Sequence, residues 1–174
     1  MGGKIEVNRI TNANIYINGN NLLGRAEEIK LPDIGMIMQE HKALGMVGKI
    51  ELPAGFDKLE GEIKWNSFYR EVMRHAANPY KSLALQCRSS IDRYNSTGRI
   101  DEIPLVTHLT IMFKKNPMGT FKQHENPDFS SAFSCTYIKQ VVDGETLLEL
   151  DYLANIFKVN GVDQLSTYRA NIGG

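Results

Sequence analysis

The sequence has little of what most often identifies a function directly. It contains two cysteines, Cys87 and Cys135, which lie far apart and indicate neither a disulfide framework nor a metal site. We expect two buried free thiols. No apolar run approaches the ~18 residues that a membrane span requires. The N-terminus MGGKIEVNRITN has no apolar segment of the signal-peptide type. We therefore expect a protein made in a cytoplasm, without stable membrane anchoring.

The sequence also lacks an excess of charge of either sign. Its 20 basic and 20 acidic residues give a formal net charge of zero, whereas proteins that wrap nucleic acid usually carry an excess of Lys and Arg. Near-zero net charge removes long-range repulsion between copies and so permits self-association. The length of 174 residues and the 42% hydrophobic content predict one globular domain, residues 1–174, with a real core.

No catalytic or metal-binding constellation is visible. None of the four histidines has metal-ligand spacing, and no Gly-x-Ser-x-Gly motif is present. Glu71 and His75 are four residues apart on a predicted helix and are interpreted as a surface pair. We predict no catalytic residue, no metal and no cofactor. The alternative is a small β-barrel hydrolase using His75 or His108, or a ligand-binding module, either of which requires a pocket with converging polar groups.

Period-two patterns predict a mainly β protein. From Leu59 to Trp65 the odd positions are apolar or glycine and the even positions are polar, which indicates a strand with one buried face. Ile103 to Phe113 repeats the pattern, but Val106 and Met112 occupy its second face, so we expect this strand to be covered on both sides. Two further stripes are Leu83, Leu85, Cys87 and Ile91, and Phe133, Cys135 and Tyr137.

The turn and helix signals complete this prediction. Asn18-Gly19, Asp143-Gly144 and Asn160-Gly161 lie between β-like runs, as two-residue hairpin turns do. A helix is predicted at about residues 67–77, with Ser67 as its cap and an apolar stripe formed by Phe68, Val72 and Ala76. A second, shorter helix is predicted from about Val162 to Ala170. The expected fold is therefore an antiparallel β-barrel or sandwich with one flanking helix.

The segment from Lys30 to Pro53 is predicted to form a long protruding hairpin. Two extended arms, KLPDIGMIMQE and GKIELP, flank HKALGMV. Two interpretations of its apolar residues remain open: the methionines fill gaps in the core, or the hairpin presses on another subunit, since Met adapts to imperfect surfaces. The second interpretation makes the following residues candidates for an assembly contact: Met36, Ile37, Met38, Met46 and Val47.

The longest predicted loop runs from Asn116 to Asp128 and has basic residues in or beside it. Lys114, Lys115 and Lys122 alternate with an aromatic residue, as in some nucleic-acid-binding segments. Glu125 and Asp128 follow at once and weaken that interpretation, so a solvated loop is favoured.

The C-terminal segment from Val142 to Gly173 carries a specific resemblance. Its matching pieces are Val142-Asp143-Gly144, Glu149-Leu150-Asp151, Val159-Asn160-Gly161-Val162-Asp163-Gln164-Leu165 and Arg169. Upstream of this segment the resemblance continues with Leu31-Pro32, Glu40 and Gly45-Met46, which match in the same order. This pattern resembles the major tail tube proteins of contractile-tailed phages, and R-type pyocin tubes share it.

The resemblance implies a structural subunit and not an enzyme. Copies would form hexameric rings that stack into a hollow tube inside a contractile sheath, in a virion tail or a phage-tail-like particle. The implied partners are further copies, the sheath protein, baseplate and tail-terminator proteins, and, in a phage, a tape measure protein and DNA in transit. A tube of a type VI secretion-like apparatus is the alternative within the same class. Because a basic wall would retard DNA, we expect a lumen that is polar and neutral or acidic.

Overall fold

The computed structural model describes residues 5–174, which are mainly β, with 55% in strands and 8% in helices. The strands are β1 (Val7–Ile17), β2 (Asn20–Asn21), β3 (Ala26–Lys30), β4 (Met36–His41), β5 (Ile50–Phe56), β6 (Leu59–Trp65), β7 (Leu83–Asn95), β8 (Gly98–Phe113), β9 (Phe129–Val142), β10 (Glu145–Asp151), β11 (Ile156–Val159) and β12 (Val162–Asp163). The helices are α1 (Arg70–Ala76) and α2 (Ser166–Asn171).

The main sheet is antiparallel and branched. Its order is β12-β11-β10-β9-β8-β7-β1-β2. One edge of β9 pairs with β8, while its other edge is shared between β6, opposite residues 129–135, and β10, opposite residues 137–142. β3 lies beyond β6. Among residues 5–174 no pairing joins β3 to β1, so the sheet curls over its core without closing. The predicted antiparallel β fold is confirmed, in a sandwich-like form.

The core follows from strict alternation along the strands. One cross-strand row joins Ile17, Leu85, Leu109, Ile138 and Leu150, each paired with the next, and all five are buried. Side chains of β6 and of helix α1 cover this row, because residues of both elements belong to the same buried cluster. The curled sheet therefore encloses a single hydrophobic core.

Two strand predictions have different outcomes. The pattern of β6 is confirmed, since Leu59, Gly61, Ile63 and Trp65 are all buried. In β8 one face is buried from Thr107 to Phe113, but Val106 and Met112 on the other face are only half-buried. The expectation that this strand is covered on both sides is therefore wrong for the single subunit, because no residue on that second face is buried.

The three predicted hairpin turns are confirmed. In Asn18-Gly19, Asp143-Gly144 and Asn160-Gly161 both residues have positive φ, from 48° to 81°. The flanking residues pair directly, as in Val142 with Glu145. Positive φ at both central positions characterises the turn that matches the twist of an antiparallel pair.

Helix α1 begins later than predicted. Tyr69 is the N-cap residue, with extended dihedral angles and no side-chain capping bond, so Ser67 is not the cap. Phe68 lies before the helix and is exposed, and Met73 joins Val72 and Ala76 on the buried face. The second helix also begins later than predicted because β12 pairs with β11 before the chain can turn into α2. Neither helix described in residues 5–174 has the length and apolarity needed to cross a bilayer.

Strands β4 and β5 form a separate two-stranded sheet, here called the β4–β5 hairpin. Every residue of β4 is exposed, and so is every residue of β5 except the last two, Gly55 and Phe56. Apart from Phe56 at its base, which packs against the core cluster, neither face of this ribbon contributes to the core.

Candidate assembly surfaces

The histidines singled out from the sequence do not form a catalytic site in the described part of the chain. His108 lies on the outer face of β8, opposite Gln86 and Lys139. Partial burial, together with the charges of Lys139 and Arg88, lowers the pKa of His108. His75 is half-exposed in the last turn of α1. No group of three potential metal ligands occurs among residues 5–174.

The sequence-predicted assembly residues are all on the surface. Met36, Ile37 and Met38 are 45–47% exposed on β4, while Met46 and Val47 are 38% and 111% exposed in the tip of the β4–β5 hairpin. The interpretation that these methionines fill core gaps is therefore wrong for the single subunit. Sequence reasoning missed three more apolar residues of the same ribbon that are exposed: Leu44, Ile50 and Leu52.

The base of the β4–β5 hairpin is fixed to the main sheet. The Phe56 ring makes an edge-to-face contact with Phe157, with centroids 4.8 Å apart, and lies 6.2 Å from the ring of Tyr152. The Asp57 amide donates to the Gly35 carbonyl at 2.9 Å, and the Tyr152 hydroxyl donates to the Asp57 carbonyl. The ribbon is therefore anchored at one end and unsupported along its length.

The charges of the β4–β5 hairpin are arranged unevenly. Glu40 and Glu51 lie directly opposite each other, an arrangement that destabilises a strand pair. Lys49 forms an ion pair with Glu40 at 3.0 Å. Glu51 is in none of the ion pairs found in residues 5–174. The face that carries Met36 and Met38 therefore also presents one free carboxylate.

The upstream motif residues, Leu31 and Pro32, are structural. Pro32 is buried, and Leu31 is half-buried and packs against the core cluster. They lie on the segment that leads from β3 into the β4–β5 hairpin, so their packing fixes the chain where it leaves the sheet.

The C-terminal motif residues lie together and form a clasp around α2. The Asp163 Oδ1 atom accepts from the Leu165 amide at 3.0 Å, and its Oδ2 atom accepts from Arg169 at 2.6 Å. Arg169 also donates to the Asn155 carbonyl at 2.8 Å. The hydrogen bond from Arg169 is the main cause that lowers the pKa of Asp163. We call Asn155, Asp163 and Arg169 the C-terminal clasp.

The other motif residues shape the backbone. Asp143-Gly144 and Asn160-Gly161 form hairpin turns. The Asp151 carboxylate accepts from the amides of Leu153 and Ala154, at 3.0 and 3.1 Å. The Gln164 amide donates to the Phe157 carbonyl at 2.7 Å. These contacts fix the path of the backbone, so they explain why the motif requires particular residues.

A second exposed apolar surface was not predicted from the sequence. Phe68, Met118 and Phe121 are 60–80% exposed, and we call them the apolar patch. The rings of Phe68 and Phe121 lie 5.7 and 6.4 Å from that of the buried Phe129, both edge to face. The only sequence signal was the occurrence of two large apolar residues in a polar loop.

The basic cluster precedes and joins the loop that carries Met118 and Phe121, and it is only partly neutralised. Lys114 forms an ion pair with Glu60, whose pKa is lowered by hydrogen bonds from Lys114 and Lys58. Lys122 lies 3.5 Å from Glu125. Lys115 is exposed and is in none of the ion pairs of residues 5–174.

The comparisons with known proteins agree with this picture. The chain is 29% identical over 164 residues to the tail tube protein of Escherichia phage P2, covering 92% of this chain and 94% of that protein. It is 25% identical over 157 residues to the major tail tube protein of Serratia phage KSP20, covering 84% of each.

Two solved structures share the fold at 9% identity and a TM-score of 0.55, each over 74% of this chain. They are a chain of the sheath–tube complex of an extracellular contractile injection system, covered to 87%, and a chain of its sheath/tube terminator, covered to 92%. Residues 7–173 match the family model described as phage tail tube protein FII, and the chain therefore belongs to this family of structural, non-enzymatic tail proteins.

Proposed function

We propose that the protein forms hexameric rings that stack into a hollow tube inside a contractile sheath. The observation that carries this proposal is the β4–β5 hairpin, which exposes apolar residues on a ribbon that no other part of the described chain covers. A two-stranded ribbon is at best marginally stable in water, and exposed apolar ribbons promote association. Further copies of the chain supply the missing cover, with Met36, Ile37, Met38, Met46 and Val47 as contact residues.

The other proposed partners follow from membership of the family. The sheath surrounds the tube, baseplate and tail-terminator proteins close its ends, and a tape measure protein and DNA occupy the lumen if the particle is a phage. Assembly takes place in the cytoplasm of the bacterial host. The likeness to chains of a sheath–tube complex and of a sheath/tube terminator supports the place of the fold in such particles.

The outer face of the main sheet supports a polar lumen without excess positive charge. One cross-strand row on this face contains Gln86, His108, Lys139, Glu149 and Lys158, each paired with the next, and Asp163 ends the row beyond Lys158. Its acidic and basic residues alternate, and a balanced wall does not gain affinity for DNA by counterion release. We propose that this face lines the lumen. A tube structure with a bore lined by uncompensated lysines contradicts this assignment.

The proposal is tested by negative-stain electron microscopy of the purified full-length protein over a range of concentrations. Rings or tubes of uniform bore are the expected result. A monodisperse monomer at every concentration contradicts the proposal.

A tube of a type VI secretion-like apparatus is the second candidate, and the fold shared with a contractile injection system is the observation that favours it. The greater sequence similarity to two phage proteins favours the phage and pyocin group. Neighbouring genes for phage tail or secretion components distinguish the two.

A further inference from the structure

We propose that the β4–β5 hairpin of one subunit binds the apolar patch of the next subunit in the stack. This pairing rests on the proposed tube function and names the surface that receives the hairpin. Both surfaces lie on the same chain, and both expose large apolar side chains. The occupant of the patch is thus a second copy of this protein.

The two surfaces lie at opposite ends of strand β6. The β4–β5 hairpin joins the body just before Leu59, which pairs with Cys135 at the far end of the β6–β9 ladder. The apolar patch surrounds Phe129, which pairs with Trp65 at the near end. Seven residues of extended strand separate these ends by about 20 Å. Pairing of two different surfaces at opposite ends of a subunit is heterologous and generates an open stack.

The apolar patch is held in place by contacts to the core. A Cβ atom at Gly119 would lie 2.6 Å from the Phe129 ring, so this loop residue presses directly on a buried side chain. The Asn126 side chain donates to the Asn66 carbonyl, and the Ser67 hydroxyl donates to Asn126 at 3.5 Å. A surface ordered before binding loses less entropy when a partner arrives.

The β4–β5 hairpin matches the patch in chemistry and in charge. Met36 and Met38 share one face of β4, and methionine side chains make favourable contacts with aromatic rings such as Phe68 and Phe121. The same face carries Glu51, which has no ion-pair partner in residues 5–174, opposite Glu40. Arg70, two residues after Phe68, and Lys115, three residues before Met118, are exposed and equally without an ion-pair partner in that range. A free carboxylate on the hairpin and free cations close to the patch in sequence favour this pairing.

Photo-cross-linking in assembled tubes tests the pairing. A photoreactive phenylalanine analogue replaces Met38. Subunits labelled with heavy isotopes are mixed with unlabelled ones, so that a cross-link between a heavy and a light peptide identifies a contact between two copies. The expected product joins position 38 to a peptide that contains Phe68, Met118 or Phe121 of another copy. Tubes whose cross-links lie elsewhere overturn the pairing alone. Absence of tubes from the wild-type protein contradicts the proposed function and the pairing with it.

A charge exchange supplies the second test. Glu51→Lys or Lys115→Glu alone is expected to raise the concentration needed for tube growth about tenfold or more, because like charges then meet at the interface. Combining both changes is expected to restore most of the loss. The matched control combines Glu51→Lys with Lys81→Glu, which also restores net charge but lies outside the patch, and it is expected to rescue nothing. Equal rescue by both double variants overturns the pairing.

Discussion

At the scale of single residues, Gly61 shows how closely β6 approaches its neighbours. It pairs with Phe133 across the β6–β9 ladder and is buried beneath that ring. A Cβ atom here would overlap the Phe133 ring and would lie 2.5 Å from the Lys30 carbonyl oxygen. The ring can rotate away, but the carbonyl belongs to a paired strand, β3, and cannot.

We predict that Gly61→Ala lowers the free energy of unfolding by about 1–3 kcal/mol, the usual cost of overpacking. Urea denaturation of the subunit measures it. In the double variant Gly61→Ala with Phe133→Leu the ring is gone, but the clash with the Lys30 carbonyl remains. The part of the stability loss that this clash causes is therefore expected to persist. Gly48→Ala is the matched control, because no atom lies within 4 Å of the added Cβ and φ is not positive there. A loss no larger at Gly61 than at Gly48 contradicts the prediction.

At the scale of secondary-structure elements, the position of α2 depends on the C-terminal clasp and not on burial. None of its residues is buried, and its N-cap residue, Leu165, makes no side-chain capping bond. Arg169 instead ties the helix to Asp163 and to the Asn155 carbonyl. The helix contains six residues, too few to be stable alone in water.

We predict that Arg169→Gln releases α2 while the main sheet stays folded. Backbone chemical shifts of Ser166–Asn171 should move towards random-coil values, and those of β8 should not. Arg169→Lys is the comparison variant, since it keeps the charge but loses the two-pronged contact, and an intermediate shift is expected. Unchanged α2 shifts in Arg169→Gln contradict the role of the clasp.

The clasp also predicts a pH dependence of α2. Because the folded-state pKa of Asp163 is lowered below its ordinary value of 3.8, the contribution of the ion pair is fully present above that value. It is lost as the pH falls through the lower folded-state pKa. The backbone chemical shifts of Ser166–Asn171, followed from pH 6 to pH 2, should therefore change below pH 3.8 in the wild type. In Arg169→Gln they should not change with pH.

At the scale of the whole molecule, stability is unevenly distributed. The core joins both branches of the sheet and helix α1, whereas the β4–β5 hairpin is attached only through its base. Regions with few buried apolar contacts open most readily. A free subunit thus combines a stable body with an exposed ribbon, which gains cover only in the proposed tube.

We predict that the amides of Met36–His41 and Ile50–Phe56 exchange rapidly with solvent in the free subunit and slowly in the tube. Hydrogen exchange followed by mass spectrometry measures both states. Peptides from β8 serve as the internal control and are expected to be protected in both. Rapid exchange of the hairpin in assembled tubes contradicts its role as an assembly contact.

The sequence by itself determined the local features and the family. The alternation of β6 and the turns at Asn18-Gly19 and Asn160-Gly161 depend on adjacent residues, so they were predictable. The C-terminal pattern was recognisable because its turns and clasp require particular residues at fixed spacing. Pairing between distant segments was not predictable in this way. Glu71, for example, pairs with Arg25 at 2.8 Å, not with its helical neighbour His75.

Only the tertiary structure decided which apolar residues are covered. The methionines of the β4–β5 hairpin are as apolar as core residues. They are exposed only because the ribbon leaves the main sheet at its base. Phe68 and Phe121 lie 53 residues apart in the sequence and meet around Phe129. Burial depends on the path of the whole chain, since the hydrophobic effect acts on area removed from water and not on sequence position.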